Sequence, residues 1–342
     1  MYLHPPANLS ALELVQWVNE QVAETNRKKN AMTGLEWKKW VDDQIRVHDE
    51  QVMASKLEQA KGGRAVFLPF LGEVGWVVMH QMRLVHFNQA AYKIVCCKPG
   101  QECLFPSANQ FHTDWIDPVD DGIRAGTFRQ QVEWPAITSR FPDATPIHTG
   151  GLSSTQELFP YSLNEHIPIS PRTIRGLQAD ICIGVRSRAF IPQKNYPHWP
   201  AIATALKARG LTYAVIGSSA SSYPLEGMVC MSGDYGDYDA AIELLQSCKL
   251  YIGTDSGGSH LASVANGCPM VVLNVPESTR TVTQNGGMVV RHFIDRMAST
   301  TTHPVIQLPA TEWDNPEAIL EQIDKLIPRV QAHKPTKKKG KK

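Results

Sequence analysis

The sequence predicts an α/β protein of two domains, and three observations predict it. The first is the stretch from Lys249 to Pro276, K-L-Y-I-G-T-D-S-G-G-S-H-L-A-S-V-A-N-G-C-P-M-V-V-L-N-V-P, which reads as strand, small-residue turn, helix and strand. The second is Ala65 to Cys97, where a buried strand, a Gly-rich turn, an apolar helix-length run and a further strand make a β-α-β start. The third is size: 342 residues, 42% hydrophobic and 20% charged, can bury one large core or two moderate ones, and two α/β domains is the natural expectation.

From Leu9 to about Ala60 apolar residues recur near helical spacing between charges, with Leu12, Leu14, Val15, Trp17 and Val18 in one run and Leu35, Trp37, Trp40, Val41 and Ile45 in the next. This predicts helices that start near Asn8 or Ser10 and are interrupted at Thr33-Gly34. Lys61-Gly62-Gly63 is a hinge. Ala65 to Leu71 then reads as a strand despite Pro69, Gly72-Glu73-Val74-Gly75 as a turn, Trp76 to Phe87 as a helix and Tyr92 to Cys97 as a strand.

Between Lys98 and Ser170 the chain is rich in Pro, aromatic residues and Asp, and individual elements are not legible. Asp114, Asp117, Asp120 and Asp121 match no metal-loop spacing and read as caps or solvated acids. Pro168 to Gln178 reads as an interdomain linker. After it come a strand (Ile181 to Val185), a helix (Ala201 to Arg209), a strand (Thr212 to Gly217), and a helix (Ala240 to Ser247) with Asp239 as N-cap. Trp313 to Val330 is a last helix with Asn315-Pro316 at its start, and the lysines from Lys334 to Lys342 form a low-complexity tail.

The formal net charge of +1 gives the body no bias toward nucleic acid or membrane; the exception is the lysine tail. Seven cysteines, none in C-x-x-C spacing, read as buried free thiols in a reducing compartment. The N-terminus lacks a basic segment followed by an apolar core, and no apolar run approaches the roughly 18 residues a membrane span needs. A cytoplasmic protein is expected.

A Gly-rich turn at the carboxyl end of a parallel strand aims backbone N–H groups at an anion, and the helix that follows adds the positive end of its dipole. Phosphate is the usual guest. Asp255 can accept hydrogen bonds from sugar hydroxyls, Ser256 and Ser259 can cap the helix or bind an oxygen, and His260 stands in the first turn. A plain strand-to-helix connection with an N-cap satisfies the same residues. Arg186 and Arg188, just past a strand, suit either a diphosphate or an exposed basic loop.

The string G-T-D-S-G-G-S-H-L-A, followed by a small residue, Gly, X, Pro and an apolar strand, resembles the C-terminal nucleotide-sugar signature of heptosyltransferase-like glycosyltransferases. The resemblance extends from about Asp180 to Pro276, and more weakly from Ala65 to Cys97. It implies a GT-B fold, two Rossmann-like domains facing a cleft, here with a helical N-terminal extension. The expected division is 1–62 extension, 63–172 acceptor domain, 173–312 nucleotide-sugar domain, 313–332 a helix returning to the first domain, and 333–342 basic tail.

The resemblance also implies roles. The family carries Gly-Asp after its first strand, and the equivalent Gly72-Glu73 makes Glu73 the candidate base that deprotonates an acceptor hydroxyl. The longer side chain changes its reach, and an acid in a helix's first turn is also favourable without catalysis. Lys194, ahead of the Trp199-Pro200 pair, corresponds to a phosphate-contacting basic residue. Thr254, Asp255, Ser256, Gly257, Gly258 and His260 are expected to hold the donor, with Arg186 or Arg188 neutralising leaving-group charge. His112, Trp115 and His148 fall in loops that would face the acceptor, and Arg280 in a loop at the cleft.

The implied partners are a nucleotide-sugar co-substrate and a hydroxyl acceptor, a glycan or a nucleic-acid base, with no metal or other cofactor. Asp234, Asp237 and Asp239 are accordingly not read as a metal site. The competing expectations are a non-catalytic nucleotide-sugar-binding scaffold and an epimerase of the same architecture.

Overall fold

The computed structural model describes residues 10, 13, 15–17, 19–20, 51, 55–69, 74–114, 134–147, 167–171, 173, 175–187, 192, 195–217, 222–225, 238–274, 297 and 300–327. Of the expected N-terminal helices, residues 13, 15–17, 19–20, 51 and 55–60 are described and helical, and the rest of that block lies outside the described residues.

Two parallel sheets organise the chain. The first contains β1 (Arg64–Phe67), β2 (Tyr92–Cys96), β3 (Gln110–His112) and β4 (Thr145–Ile147), in the order β3-β2-β1-β4. The second contains β5 (Ile181–Gly184), β6 (Tyr213–Ile216), β7 (Leu250–Thr254), β8 (Met270–Leu273) and β9 (Val305–Leu308), in the order β6-β5-β7-β8-β9. β5, β7 and β8 are buried at every position, because a parallel strand covered on both faces needs an apolar run rather than an alternation.

The helices are α1 (Val74–Trp76), α2 (Met82–Phe87), α3 (Trp134–Thr138), α4 (Trp199–Ala208), α5 (Tyr238–Ser247), α6 (Gly257–Ala265) and α7 (Pro316–Leu326). One apolar core joins the sheets, with Phe67 and Val95 of the first in the same cluster as Cys182, Tyr251 and Val272 of the second and Leu261 of α6. A second core lies on the other face of the second sheet, where α4 and α7 contribute Trp199, Leu206, Ile319 and Ile323. The linker is anchored on α5: the backbone N–H groups of Arg175, Gly176 and Leu177 donate to the buried carboxylate of Glu243 at 2.7 to 3.1 Å, and Ser247 Oγ donates to the Leu177 carbonyl at 2.9 Å.

Several elements depart from the sequence expectation. The helix expected at Trp76 to Phe87 begins at Val74 and passes through a π turn (Val77–Gln81) between α1 and α2. The Gln81 side chain is turned inward there, and its Nε2 donates to the carbonyls of Leu68 and Cys96, both at 3.2 Å, at the carboxyl ends of β1 and β2. β9 was not expected; its four residues lie between Pro304 and Pro309, and its burial is partial, as befits an edge strand. The last helix starts at Pro316, because Trp313 follows a 3₁₀ turn (Ala310–Glu312) and Asn315 stands at the N-cap. Asp239 lies inside α5 rather than capping it, since the helix already begins at Tyr238. Six cysteines are described, all free and buried; Cys230 lies outside the described residues.

Candidate functional site

In an open α/β sheet, ligands bind outside the carboxyl ends of the strands, where the strand order reverses. The first sheet has that switch point between β1 and β4, the second between β5 and β7. The turn after β1 carries Glu73 in the sequence, and the turn after β7 is the Asp255 turn.

That second turn folds as its residue types dictate. Thr254 ends the strand, Asp255 follows with 3% of its surface exposed, and Ser256 is the extended N-cap of α6, at φ −154° and ψ 167°. No side-chain cap bond is made by Ser256, contrary to one sequence expectation; its carbonyl instead accepts from the N–H groups of Ser259 and His260 at 3.1 and 3.3 Å. α6 ends on Asn266 in the left-handed conformation, φ 53°, and its Oδ1 accepts from Thr301 Oγ1 and from the backbone N–H of Thr302.

Beneath the turn a side chain reaches the same groups from the strand. Tyr251 is fully buried, and its ring lies along the sheet over the cross-strand pair Gly184 and Gly253. A Cβ on Gly184 would stand 2.0 Å from the Tyr251 hydroxyl, and one on Gly253 would stand 2.4 Å from it, so both positions must lack a side chain. The hydroxyl is 3.0 Å from Ser259 Oγ, which in turn donates to the Thr254 carbonyl at 2.5 Å. Burial pushes the phenol pKa upward, and the bond to Ser259 pulls the other way without cancelling it. The Thr254 hydroxyl is also buried and has no hydrogen-bond partner, so this residue serves the turn through its backbone carbonyl.

From the other sheet, α1 presses onto this turn. A Cβ on Gly75 would meet His260 Cδ2 at 2.9 Å and Gly257 Cα at 3.4 Å. A Cβ on Gly257 would meet Val74 Cγ1 at 2.5 Å and the Gly75 backbone nitrogen at 3.3 Å. The two glycines therefore let the start of α1 lie directly against the N-terminus of α6, one residue past Glu73 in the chain.

Thr254, Asp255, Ser256, Gly257, Gly258 and His260 thus fall within one turn and the first residues of the helix after it. Arg186 lies past the carboxyl end of β5, the neighbour of β7, and its Nη1 donates to Asn195 Oδ1 at 2.8 Å. Glu73, Lys194, Arg188, Trp115, His148 and Arg280 lie outside the described residues. His112, at the end of β3, is bound through Nδ1 to Asp114 at 2.5 Å, and Arg140 Nη1 donates to the other Asp114 oxygen at 3.0 Å. Burial lowers the His112 pKa, and the Asp114 carboxylate opposes that shift without overcoming it. Among the described residues no group of three or more His, Cys, Asp or Glu side chains is placed to hold a metal ion, and no helix is long and apolar enough to cross a membrane.

The sequence reading missed Tyr251 and Gln81. The signal for Tyr251 was present as Tyr-Ile-Gly on an apolar strand, since a glycine two residues along leaves the sheet face open to the ring. Gln81 gave no comparable signal.

Among solved structures the chain is similar to a family 9 glycosyl transferase from Veillonella parvula, 13% identical over 78% of this chain and 91% of that one, TM-score 0.44. It is similar to the ADP-heptose LPS heptosyltransferase II of E. coli, 14% identical over 77% of this chain and 98% of that one, TM-score 0.47. It is also similar to TibC, an iron-containing dodecameric glycosyltransferase from enterotoxigenic E. coli, 16% identical over 62% and 58% of the two chains, TM-score 0.38. No protein-family model and no curated protein matches the chain.

Proposed function

We propose that this protein is a glycosyltransferase of GT-B architecture, with a helical N-terminal extension, that moves a sugar from a nucleotide-activated donor to an acceptor hydroxyl. The observation that carries this reading is the meeting of α1 with the N-terminus of α6. Each follows a strand at its sheet's switch point, and the Gly75 and Gly257 contact brings the chain just after Glu73 onto the N-terminus of α6. A base supplied by one sheet and an anion cradle supplied by the other are what transfer from a diphosphate requires.

In this reading the N–H groups at the start of α6 and its dipole receive the donor diphosphate, with Lys194 and Arg186 or Arg188 adding positive charge. Asp255 and His260 contact ribose or sugar. Glu73 takes the acceptor hydroxyl proton as the oxygen attacks the anomeric carbon; the bond to the diphosphate breaks, and the nucleoside diphosphate leaves with the electron pair. No step is routed through a metal. The acceptor is a glycan hydroxyl; the nucleic-acid alternative rested on the helical extension and the lysine tail, and most of the first and all of the second lie outside the described residues.

The test is a thermal-shift screen of the purified protein against ADP-, GDP-, UDP-, CMP- and dTDP-sugars, since a ligand that binds only the native state raises its melting temperature. One nucleotide is expected to stand out, and Asp255→Ala is expected to abolish its effect. A flat screen would overturn the reading.

A further inference from the structure

We propose that Tyr251 is a positioning residue for the donor, a buried brace that fixes the backbone of the Asp255 turn through Ser259. The inference rests on the glycosyltransferase reading given above, and its geometry stands independently of it.

The direction of the bonds follows from counting protons. A serine hydroxyl has one proton to give, and a backbone carbonyl can only accept. Ser259 Oγ spends its proton on the Thr254 carbonyl, so the contact between Tyr251 and Ser259 must be donated by the phenol. The result is a directed chain from Tyr251 to Ser259 to Thr254, in which each bond polarises the next. It begins on β7, passes through the first turn of α6 and ends on the last residue of β7. The loop so closed contains Asp255, Ser256, Gly257 and Gly258, residues assigned to the donor.

Two glycines on neighbouring strands share this one cause. Gly184 on β5 and Gly253 on β7 leave room for the phenol oxygen, and a Cβ on Gly258 of α6 would stand 3.2 Å from it. Side chains at the first two positions would displace the hydroxyl from Ser259. A phenol is suited to this task because its oxygen stands at the end of a rigid ring, with two side-chain torsions to fix. A turn whose N–H groups are held in place before the ligand arrives binds an anion without paying to order them.

The test compares wild type with Tyr251→Phe and Ser259→Ala by two readouts. Amide hydrogen exchange over residues 255–260 needs no ligand, and in both variants it is expected to quicken about tenfold, with exchange in β5 and β8 unchanged. The donor KM and the Kd for the nucleoside diphosphate are expected to rise about fivefold to tenfold, the scale of one hydrogen bond, while kcat changes less than twofold.

A purely structural role would lower the melting temperature and leave KM and local exchange as in wild type; that result overturns the proposal. If wild type binds no nucleoside diphosphate or nucleotide-sugar, the glycosyltransferase reading fails and the donor role of Tyr251 fails with it. Exchange still decides separately whether the brace exists.

Discussion

The carboxyl ends of β1 and β7 occupy the same place in their sheets, each at the switch point, and the described ties around them differ. In the second sheet the brace is local: Tyr251 and Ser259 belong to the strand and helix that flank the turn and bind the carbonyl of Thr254 at its start. In the first sheet the tie among the described residues joins two strand ends. Gln81, at the end of the π turn, joins the carbonyl of Leu68, just past β1, to that of Cys96 at the end of β2. π turns inside helices are frequent at functional sites, where the extra residue redirects a side chain. Here it turns an amide into the sheet edge. Under the proposed function a diphosphate cradle gains from being rigid beforehand, whereas a base must meet an acceptor that arrives separately.

The strongest way to break the comparison is a pair of glycine substitutions. A Cβ on Gly267 would meet Leu245 O at 2.2 Å and Gln246 Cα at 2.3 Å, backbone atoms that cannot rotate away. Gly267→Ala should therefore cost about 3 kcal/mol of stability, measured by denaturant unfolding, yet leave donor affinity unchanged in the folded fraction. Gly75→Ala meets the His260 side chain instead, at 2.9 Å, and should cost about 1 to 2 kcal/mol while also weakening donor binding. Equal effects of the two substitutions on binding would remove the idea that the contact between α1 and α6 belongs to the site.

A smaller effect is expected at Gln81. Gln81→Leu leaves the carbonyls of Leu68 and Cys96 without that donor, but it also removes a buried Oε1 that has no partner, so the net cost should be about 1 kcal/mol. Because this tie belongs to the first sheet, the variant should change transfer rate with the nucleotide-sugar Kd unchanged. A changed Kd would show that the strand ends of the first sheet and the Asp255 turn are not independent.

Much of the second sheet was legible in the sequence because its strands are short apolar runs bounded by Gly, Pro and Asp, which read the same way in isolation and in the fold. Lys249 to Pro276 gave strand, turn, helix and strand in the right order, with α6 occupying Gly257–Ala265. β3, β4 and β9 were not legible. Each has only three or four residues and is partly exposed, so its pairing with the neighbouring strand decides its structure more than its own pattern does.

The same limit applied within the site. Glycine at 184 and 253 is intelligible only once Tyr251 is seen to lie across a pair of neighbouring strands, a relation fixed by register. Ser259 gave a clear local signal as a cap, and its actual bond to the Thr254 carbonyl follows from its inward-facing position on α6.

The central claim is that one sheet supplies the donor cradle and the other the base. The most direct test measures nucleotide-sugar affinity and transfer rate in wild type and Glu73→Gln side by side. The account predicts an unchanged Kd with transfer slowed by about 10² to 10⁴, the range ascribed to a general base. An equally active Glu73→Gln, or one that loses donor binding and transfer together, would contradict it.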